Sequence, residues 1–291
     1  MKKRNYRRRK ENMTPYILGQ QPKKPNLPPT REDVSKQIEK QSDRRKIFVW
    51  VNTYNRCKEF GNLLKDIYQN KGNHDLKILV VDDGSDVDYE NVLSKYDGKL
   101  NIEFHSMSEN HGKKYYWKLC NYAMQQIKRN SGYHYYVKLD DDGRLENRFF
   151  DRCINVWESI NDPRKICLNF RLDNREGKKV WTGFKPKKFV YNNIPVYLSQ
   201  WVDMDFFVTE NFFRILQYQI RPQHLNRFKN PYVSSGVGKD ISNRLVKRGY
   251  HLYLTTQSLV KHTDHDSKMN PLERQRNSLE TKPFTDKKYG L

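Results

Sequence analysis

No run in this 291-residue sequence approaches the ~18–20 consecutive apolar residues that a membrane-spanning helix needs. Its charged N-terminus is not followed by the apolar stretch of a signal peptide. A cytoplasmic location is therefore expected, with peripheral contact to a membrane left open. Cysteine is scarce: Cys57, Cys120, Cys153 and Cys167 lie far apart without C-x-x-C spacing. That spacing argues against a structural zinc site and against a dense disulfide framework, and the four read as reduced, mostly buried thiols. Acidic residues are in short supply too, 34 Asp and Glu against 55 Lys and Arg, for a formal net charge of +21. Such an excess points to an anionic partner: a nucleic acid, an acidic membrane surface or a polyanionic acceptor. Through Lys46 the chain carries 15 basic and 5 acidic residues, so the excess is shared between this segment and the rest.

What is present is enough for a core. Hydrophobic residues make up 36% and aromatics 13%, with 19 Tyr and 14 Phe. Residues 1–46 stand apart. A basic cluster (Lys2, Lys3, Arg4, Arg7 to Arg9, Lys10) precedes scattered prolines (Pro15, Pro22, Pro25, Pro28, Pro29). Low apolar content cannot offset the ordering entropy of a packed domain, so this part is expected to be a flexible basic arm, with a short helix at 31–45 as an option. Whether the arm is merely solvated or binds a polyanion is left open. A catalytic domain is assigned to 47–266 and a polar extension to 267–291, the latter without a structural expectation.

Within the domain the pattern alternates. Ile47-Phe48-Val49-Trp50-Val51 is a buried-strand run that opens into Asn52-Thr53-Tyr54-Asn55. Phe60, Leu63, Leu64 and Ile67 then fall at helical spacing over 57–70. Ile78 to Val81 is a second strand, stopped by Asp82-Asp83-Gly84-Ser85-Asp86. A strand at 102–105, a helix at 115–128, a strand at 135–139 ending in Asp140-Asp141-Asp142, and a helix at 148–160 follow. Farther on, strands are expected at 166–172, 179–184 and 250–255, and helices at 210–218 and 239–248. Such alternation predicts an α/β fold with a mainly parallel sheet whose functional loops lie at the strand C-termini.

Two apolar strands ending in clustered aspartates are the central signal. Carboxylates gathered in one crevice repel one another, and a bound Mg²⁺ or Mn²⁺ keeps several ionised together. Each acidic pair taken alone is equally open to a helix-cap or turn role.

Three segments in order resemble the family-2-like glycosyltransferases of the GT-A (Rossmann-like) fold. Val51-Asn52-Thr53-Tyr54-Asn55-Arg56 is similar to the opening strand and T-Y-N-R segment, Val80 to Ser85 to the V-V-D-D-G-S loop, and Leu139 to Asp142 to the L-D-x-D metal motif. The resemblance implies that Thr53 and one or both of Asp82 and Asp83 contact the nucleoside and that Asp140 reaches the ribose, a metal-bound water or the metal, with Asp141 grouped among the nucleotide-sugar contacts. It further implies that Asp142 coordinates Mn²⁺ or Mg²⁺. Glu109 to Lys114 resembles the N-x-G-K segment, although Tyr115, Tyr116 and Trp117 stand where small residues are usual; Lys113 would approach the diphosphate or remain a surface lysine. Gly236-Val237-Gly238-Lys239-Asp240 resembles the glycine-rich E-D segment, with Lys239 in the place of an acid. It makes Asp240 the candidate general base, a helix cap being the alternative. Val260 to His265 resembles the late segment whose histidine completes the metal site, with His262 preferred to His265. Trp201 to Phe207 falls where the family shapes its sugar pocket, so Asp203 and Asp205 are weaker sugar-binding candidates.

The implied activity is metal-dependent, inverting transfer of a sugar from a nucleotide-diphosphate donor, UDP-sugar favoured, to an acceptor hydroxyl. The acceptor would be a glycan, another anionic polymer or a nucleic acid. Two competitors use the same features: a two-metal nucleotidyl- or phosphoryl-transfer enzyme, and a non-catalytic nucleic-acid-binding protein, which no recognised nucleic-acid motif supports.

Overall fold

The structure is a computed structural model and describes residues 44–170, 187–202, 204–221 and 236–262. The N-terminal arm up to residue 43, the strand expected at 179–184, Asp203, His265 and the C-terminal extension lie outside the described residues.

The expected alternation is present. Strand β1 (Lys46–Thr53) leads into helix α1 (Cys57–Asn70), then β2 (Asp75–Asp82), a one-turn helix α2 (Glu90–Leu93) running into a 3-10 turn, and β3 (Asn101–Ser106). Helix α3 (Gly112–Arg129), β4 (Tyr135–Asp140), the short β5 (Gly143–Leu145), α4 (Phe149–Ser159) and β6 (Lys165–Asn169) follow. The second half supplies β7 (Lys187–Tyr191), β8 (Ile194–Ser199), β9 (Phe206–Val208), α5 (Glu210–Ile215), α6 (Val237–Val246), β10 (His251–Thr255) and β11 (Val260–His262).

Nine strands form one sheet in the order β3-β2-β1-β4-β9-β6-β10-β8-β7, and β11 pairs with β5 in a separate ribbon. Pairing is parallel through β3-β2-β1-β4 and between β6 and β10. The three-residue β9 enters antiparallel between β4 and β6, and β7 and β8 extend the far edge antiparallel.

Both faces of the central strands are covered, so β1, β2 and β4 are apolar on both sides. Ile47, Val49 and Val51 pack with Phe60, Leu63 and Leu64 of α1 and with Phe149 and Trp157 of α4. Phe48 and Trp50, pointing the other way by the two-residue strand period, pack with Leu119, Ala123 and Met124 of α3 and with Phe212 of α5 and Ile241 of α6. Three cysteines are buried and all four are free thiols. Among the described residues no helix is long and apolar enough to cross a membrane.

Element boundaries shift for local reasons. Helix α3 begins at Gly112 rather than at 115, because Gly112 takes φ +60° and the turn before it is capped by an aspartate. Helix α5 stops at Ile215 instead of 218, since Gln217 and Tyr218 adopt left-handed φ of 56° and 52°. The ribbon has its own anchor on α1. Arg144 grips Asp66 through two bonds of 2.6 and 2.7 Å, and Leu145 N–H donates to the same carboxylate at 3.0 Å. That bidentate clasp fixes β5, and with it the chain just after Asp142.

Candidate active site at the strand C-termini

Register brings the three motifs to one level. Thr53 at the end of β1 lies opposite Asp82 of β2, and Asn52 lies opposite Asp140 of β4. On the outer side Asp82 faces Ser106 of β3. This is the carboxyl edge of the parallel half, where open α/β sheets bind ligands.

At the β2 end the carboxylates serve the loop. Asp82 accepts hydrogen bonds from Ser85 N–H (3.1 Å), Ser106 Oγ (2.7 Å) and Ser85 Oγ. Asp83, fully buried, accepts from the N–H groups of His111 (3.0 Å) and Gly112 (3.1 Å), and His111 Nδ1 lies 3.0 Å away. It therefore caps the first turn of α3. Burial pushes its carboxyl above the usual range, and the His111 and Gly112 contacts oppose that rise. Gly84 is required here: with φ +68°, a Cβ would stand 2.7 Å from the carbonyl carbon of Glu109. Lys113 is the second residue of α3 and half-buried.

At the β4 end the partners are cations. Arg56, its side chain 8% exposed, places Nη1 at 3.0 Å from Asp141 Oδ1 and 2.7 Å from Asp142 Oδ2. Thr53 Oγ1 donates to Asp141 Oδ2 at 2.9 Å and lies 3.0 Å from the buried Tyr89 hydroxyl, which also receives Arg56 N–H at 3.2 Å. Lys138, wholly buried inside β4, donates from Nζ to Asp140 Oδ1 (2.7 Å) and to the Leu139 carbonyl (2.8 Å), 5.6 Å from the Trp50 ring centre. Asp205, also buried, accepts Asp140 N–H at 2.8 Å. Burial pulls the Lys138 ammonium toward deprotonation, but the Asp140 and Asp205 carboxylates prevail and raise its pKa.

The ribbon brings the late segment to the same place. β11 runs antiparallel to β5 with His262 opposite Gly143, the residue after Asp142. A Cβ on Gly143 would lie 3.0 Å from Val260 Cγ1 and 3.2 Å from the Asp140 carbonyl oxygen, so the glycine permits this close approach.

Among the described residues no three His, Cys, Asp or Glu side chains already form a group that could hold a metal ion. The donor atoms nevertheless suit one. Asp140, Asp141, Asp142 and Asp205 bring four carboxyl groups together, with Arg56 and Lys138 among their partners. Burial first, and the Asp142 and Asp140 charges after it, push the Asp141 carboxyl up to about 7 despite Arg56 and Thr53. A gathering of carboxylate oxygen matches the donor preference of Mg²⁺ or Mn²⁺.

Asp240 sits in the first turn of α6, buried. Its Oδ2 accepts Arg221 N–H at 3.0 Å and lies 3.3 Å from Arg244 Nη1. Gly238 of the same turn packs so close to Trp201 and Val202 that a Cβ would stand 2.7 Å from the Val202 carbonyl oxygen.

The structure thus gathers Thr53, Asp82, Asp83 and Asp140 to Asp142 at one edge and puts the backbone of His262 beside them. Arg56 and Lys138 gained no role from the sequence. The one signal for Lys138 was a charged residue inside an otherwise apolar strand.

No family model and no curated protein matches the chain by sequence. Solved structures do match by shape. The 1–349 segment of S. aureus TarS in complex with UDP-GlcNAc aligns at TM-score 0.54 and 15% identity, over 77% of this chain and 60% of that one. The same segment alone gives 0.53 and 16%, over 75% and 60%. The mannosyltransferase PcManGT from Pyrobaculum calidifontis, in complex with GDP-Man and Mn²⁺, gives 0.50 and 16%, over 81% and 63%. The chain thus spans about 60% of the length of these structures. With its parallel β3-β2-β1-β4 half and aspartate-bearing strand ends, the chain has a GT-A-like α/β fold, shared with these structures.

Proposed function

We propose that this protein is a metal-dependent, inverting, family-2-like glycosyltransferase that moves a sugar from a nucleotide-diphosphate donor to an acceptor hydroxyl. The observation that carries the reading is the register of Thr53, Asp82 and Asp140 at one sheet edge, within a fold shared with structures that hold UDP-GlcNAc and GDP-Man. Residues 47–266 form the catalytic domain in this reading, flanked by the basic arm 1–46 and the extension 267–291, with the enzyme working in the cytoplasm.

Thr53, Asp82 and Asp83 shape the nucleoside end, the two aspartates through the loop that they brace, and Lys113 stands toward the diphosphate. Asp140 and Asp141 complete the nucleotide-sugar contacts, with Asp203 and Asp205 on the donor-sugar side. Asp205 acts through the backbone of Asp140. Asp140-x-Asp142 serves as the DxD motif and, with His262, holds Mn²⁺ or Mg²⁺. The bound ion supplies positive charge to the diphosphate as it departs. Asp240 takes the acceptor hydroxyl proton while that oxygen attacks the anomeric carbon from the face opposite the leaving group. The Arg221 N–H and Arg244 contacts hold its carboxylate in place. A UDP-sugar is the favoured donor, and a glycan or other anionic polymer suits the charge of +21 as acceptor.

A thermal-shift series with UDP-, GDP-, CMP- and dTDP-sugars, each with Mn²⁺ and with a chelator, tests the reading. Saturation at about 100 Kd adds about 2.7 kcal/mol to the folded state. A Mn²⁺-dependent rise with one nucleotide class is expected. No rise with any of them, together with tight binding of DNA or RNA, would overturn the proposal.

A further inference from the structure

Position 138 is anomalous for its strand. Tyr136 and Lys138 share the β4 face that packs among Trp50, Phe206 and α3, and Lys138 is as fully buried as its aliphatic neighbours. An apolar side chain would fill that space without the cost of desolvating an ammonium. The strand carries the charge all the same, and the side chain runs along the face toward the strand end. There it meets Asp140 Oδ1 at 2.7 Å, while Asp205 holds the Asp140 N–H at 2.8 Å. Asp140 is thus held twice, main chain by a carboxylate and side chain by an ammonium, yet its side chain keeps 29% of its surface exposed. The supporting pair, Lys138 and Asp205, is wholly buried and has no surface to offer a ligand.

We propose that Lys138 is a positioning residue of the donor site, its buried ammonium fixing the orientation in which the Asp140 carboxylate engages the cation-bound nucleotide. The proposal rests on the glycosyltransferase reading above. Partners of this kind orient the groups that touch the ligand, and their loss typically costs ~10–100-fold in affinity or activity. A purely structural lysine, present only to neutralise Asp205, would change the melting temperature but would not act through Asp140.

A double-mutant cycle separates the two roles. Lys138→Met, Asp140→Asn and the double variant are titrated calorimetrically with UDP and with GDP in the presence of Mn²⁺, after each is checked for folding. Lys138→Gln, which keeps a polar end, is the second variant at the position. Lys138→Met is expected to weaken nucleotide binding about tenfold in the native background and less than about twofold in the Asp140→Asn background. Native-like binding by Lys138→Met, or the same loss in both backgrounds, would overturn the proposal. Collapse of both Lys138 variants while Asp140→Asn folds would do so too, by making Lys138 a folding residue. If the native protein binds neither nucleotide, the glycosyltransferase reading falls and takes the proposal with it. If the native protein binds and the Lys138 variants bind equally well, only the proposal falls.

Discussion

The β2 and β4 termini look alike in the sequence, each an apolar strand that breaks at consecutive aspartates, but the structure equips them differently. Asp82 and Asp83 are met by serine hydroxyls, backbone N–H groups and the His111 ring. Asp140, Asp141 and Asp142 are met by the full charges of Lys138 and Arg56. Hydroxyl and backbone donors are what a tight loop and a helix cap require. Buried cations offset the mutual repulsion within a carboxylate cluster. The aspartate pattern marks the strand ends, and the partners differ in kind between them.

Removing a cation from the β4 end should have the largest effect on stability. Arg56→Met leaves Asp141 and Asp142 buried beside one another without their guanidinium, which should cost about 3–5 kcal/mol in urea unfolding. A change under about 1 kcal/mol would mean that the Arg56 contacts contribute little beyond a surface ion pair.

Asp240 lies outside both termini and sharpens the contrast from the chemical side. Asp240→Ala should lower the transfer rate by about 10²–10⁴-fold while Mn²⁺-dependent donor binding stays within about twofold. Equal loss of binding and transfer would return Asp240 to the structural role suggested by its Arg221 and Arg244 contacts.

At the β2 end, Asp83→Ala should destabilise by about 1–2 kcal/mol through the lost α3 cap. The ratio of donor affinities with and without Mn²⁺ should not change. A collapse of that ratio would erase the distinction between the two ends.

The smallest effect is a control away from the site. His74, buried, meets Asp151 of α4 at 3.1 Å, and this bond holds the Asp151 carboxyl below its usual range. A depressed carboxylate stabilises the fold above its unfolded pKa of about 3.9, and that contribution disappears as pH falls through the lower folded value. Asp151→Asn should therefore cost about 1 kcal/mol at pH 7, and its unfolding curve should converge on the native one in acid. A difference that persists at pH 2 would point to packing instead.

Much of the frame was legible because its signals are local. The runs at Ile47 to Val51, Ile78 to Val81 and Tyr135 to Leu139, and the spacing of Phe60, Leu63, Leu64 and Ile67, each carry their own period. The three-residue strands β5, β9 and β11 are too short to show one, and they exist because neighbours pair with them. The same limit hid the site's cations. Arg56 lies 85 residues from Asp141, and nothing near Arg56 in the chain announces that carboxylate. Lys138 is a charged residue in an apolar strand, but its meaning depends on burial, and burial depends on α3 and β9 closing over it.

The most direct test of the account is calorimetric titration of UDP with Mn²⁺, and with a chelator, into the native protein and into Asp142→Ala. Mn²⁺-dependent binding is expected of the native protein and a loss of at least about 100-fold in the variant, with the fold intact by circular dichroism. Undiminished Mn²⁺-dependent binding by Asp142→Ala would contradict the claim that the β4 terminus, and not the β2 loop, carries the cation.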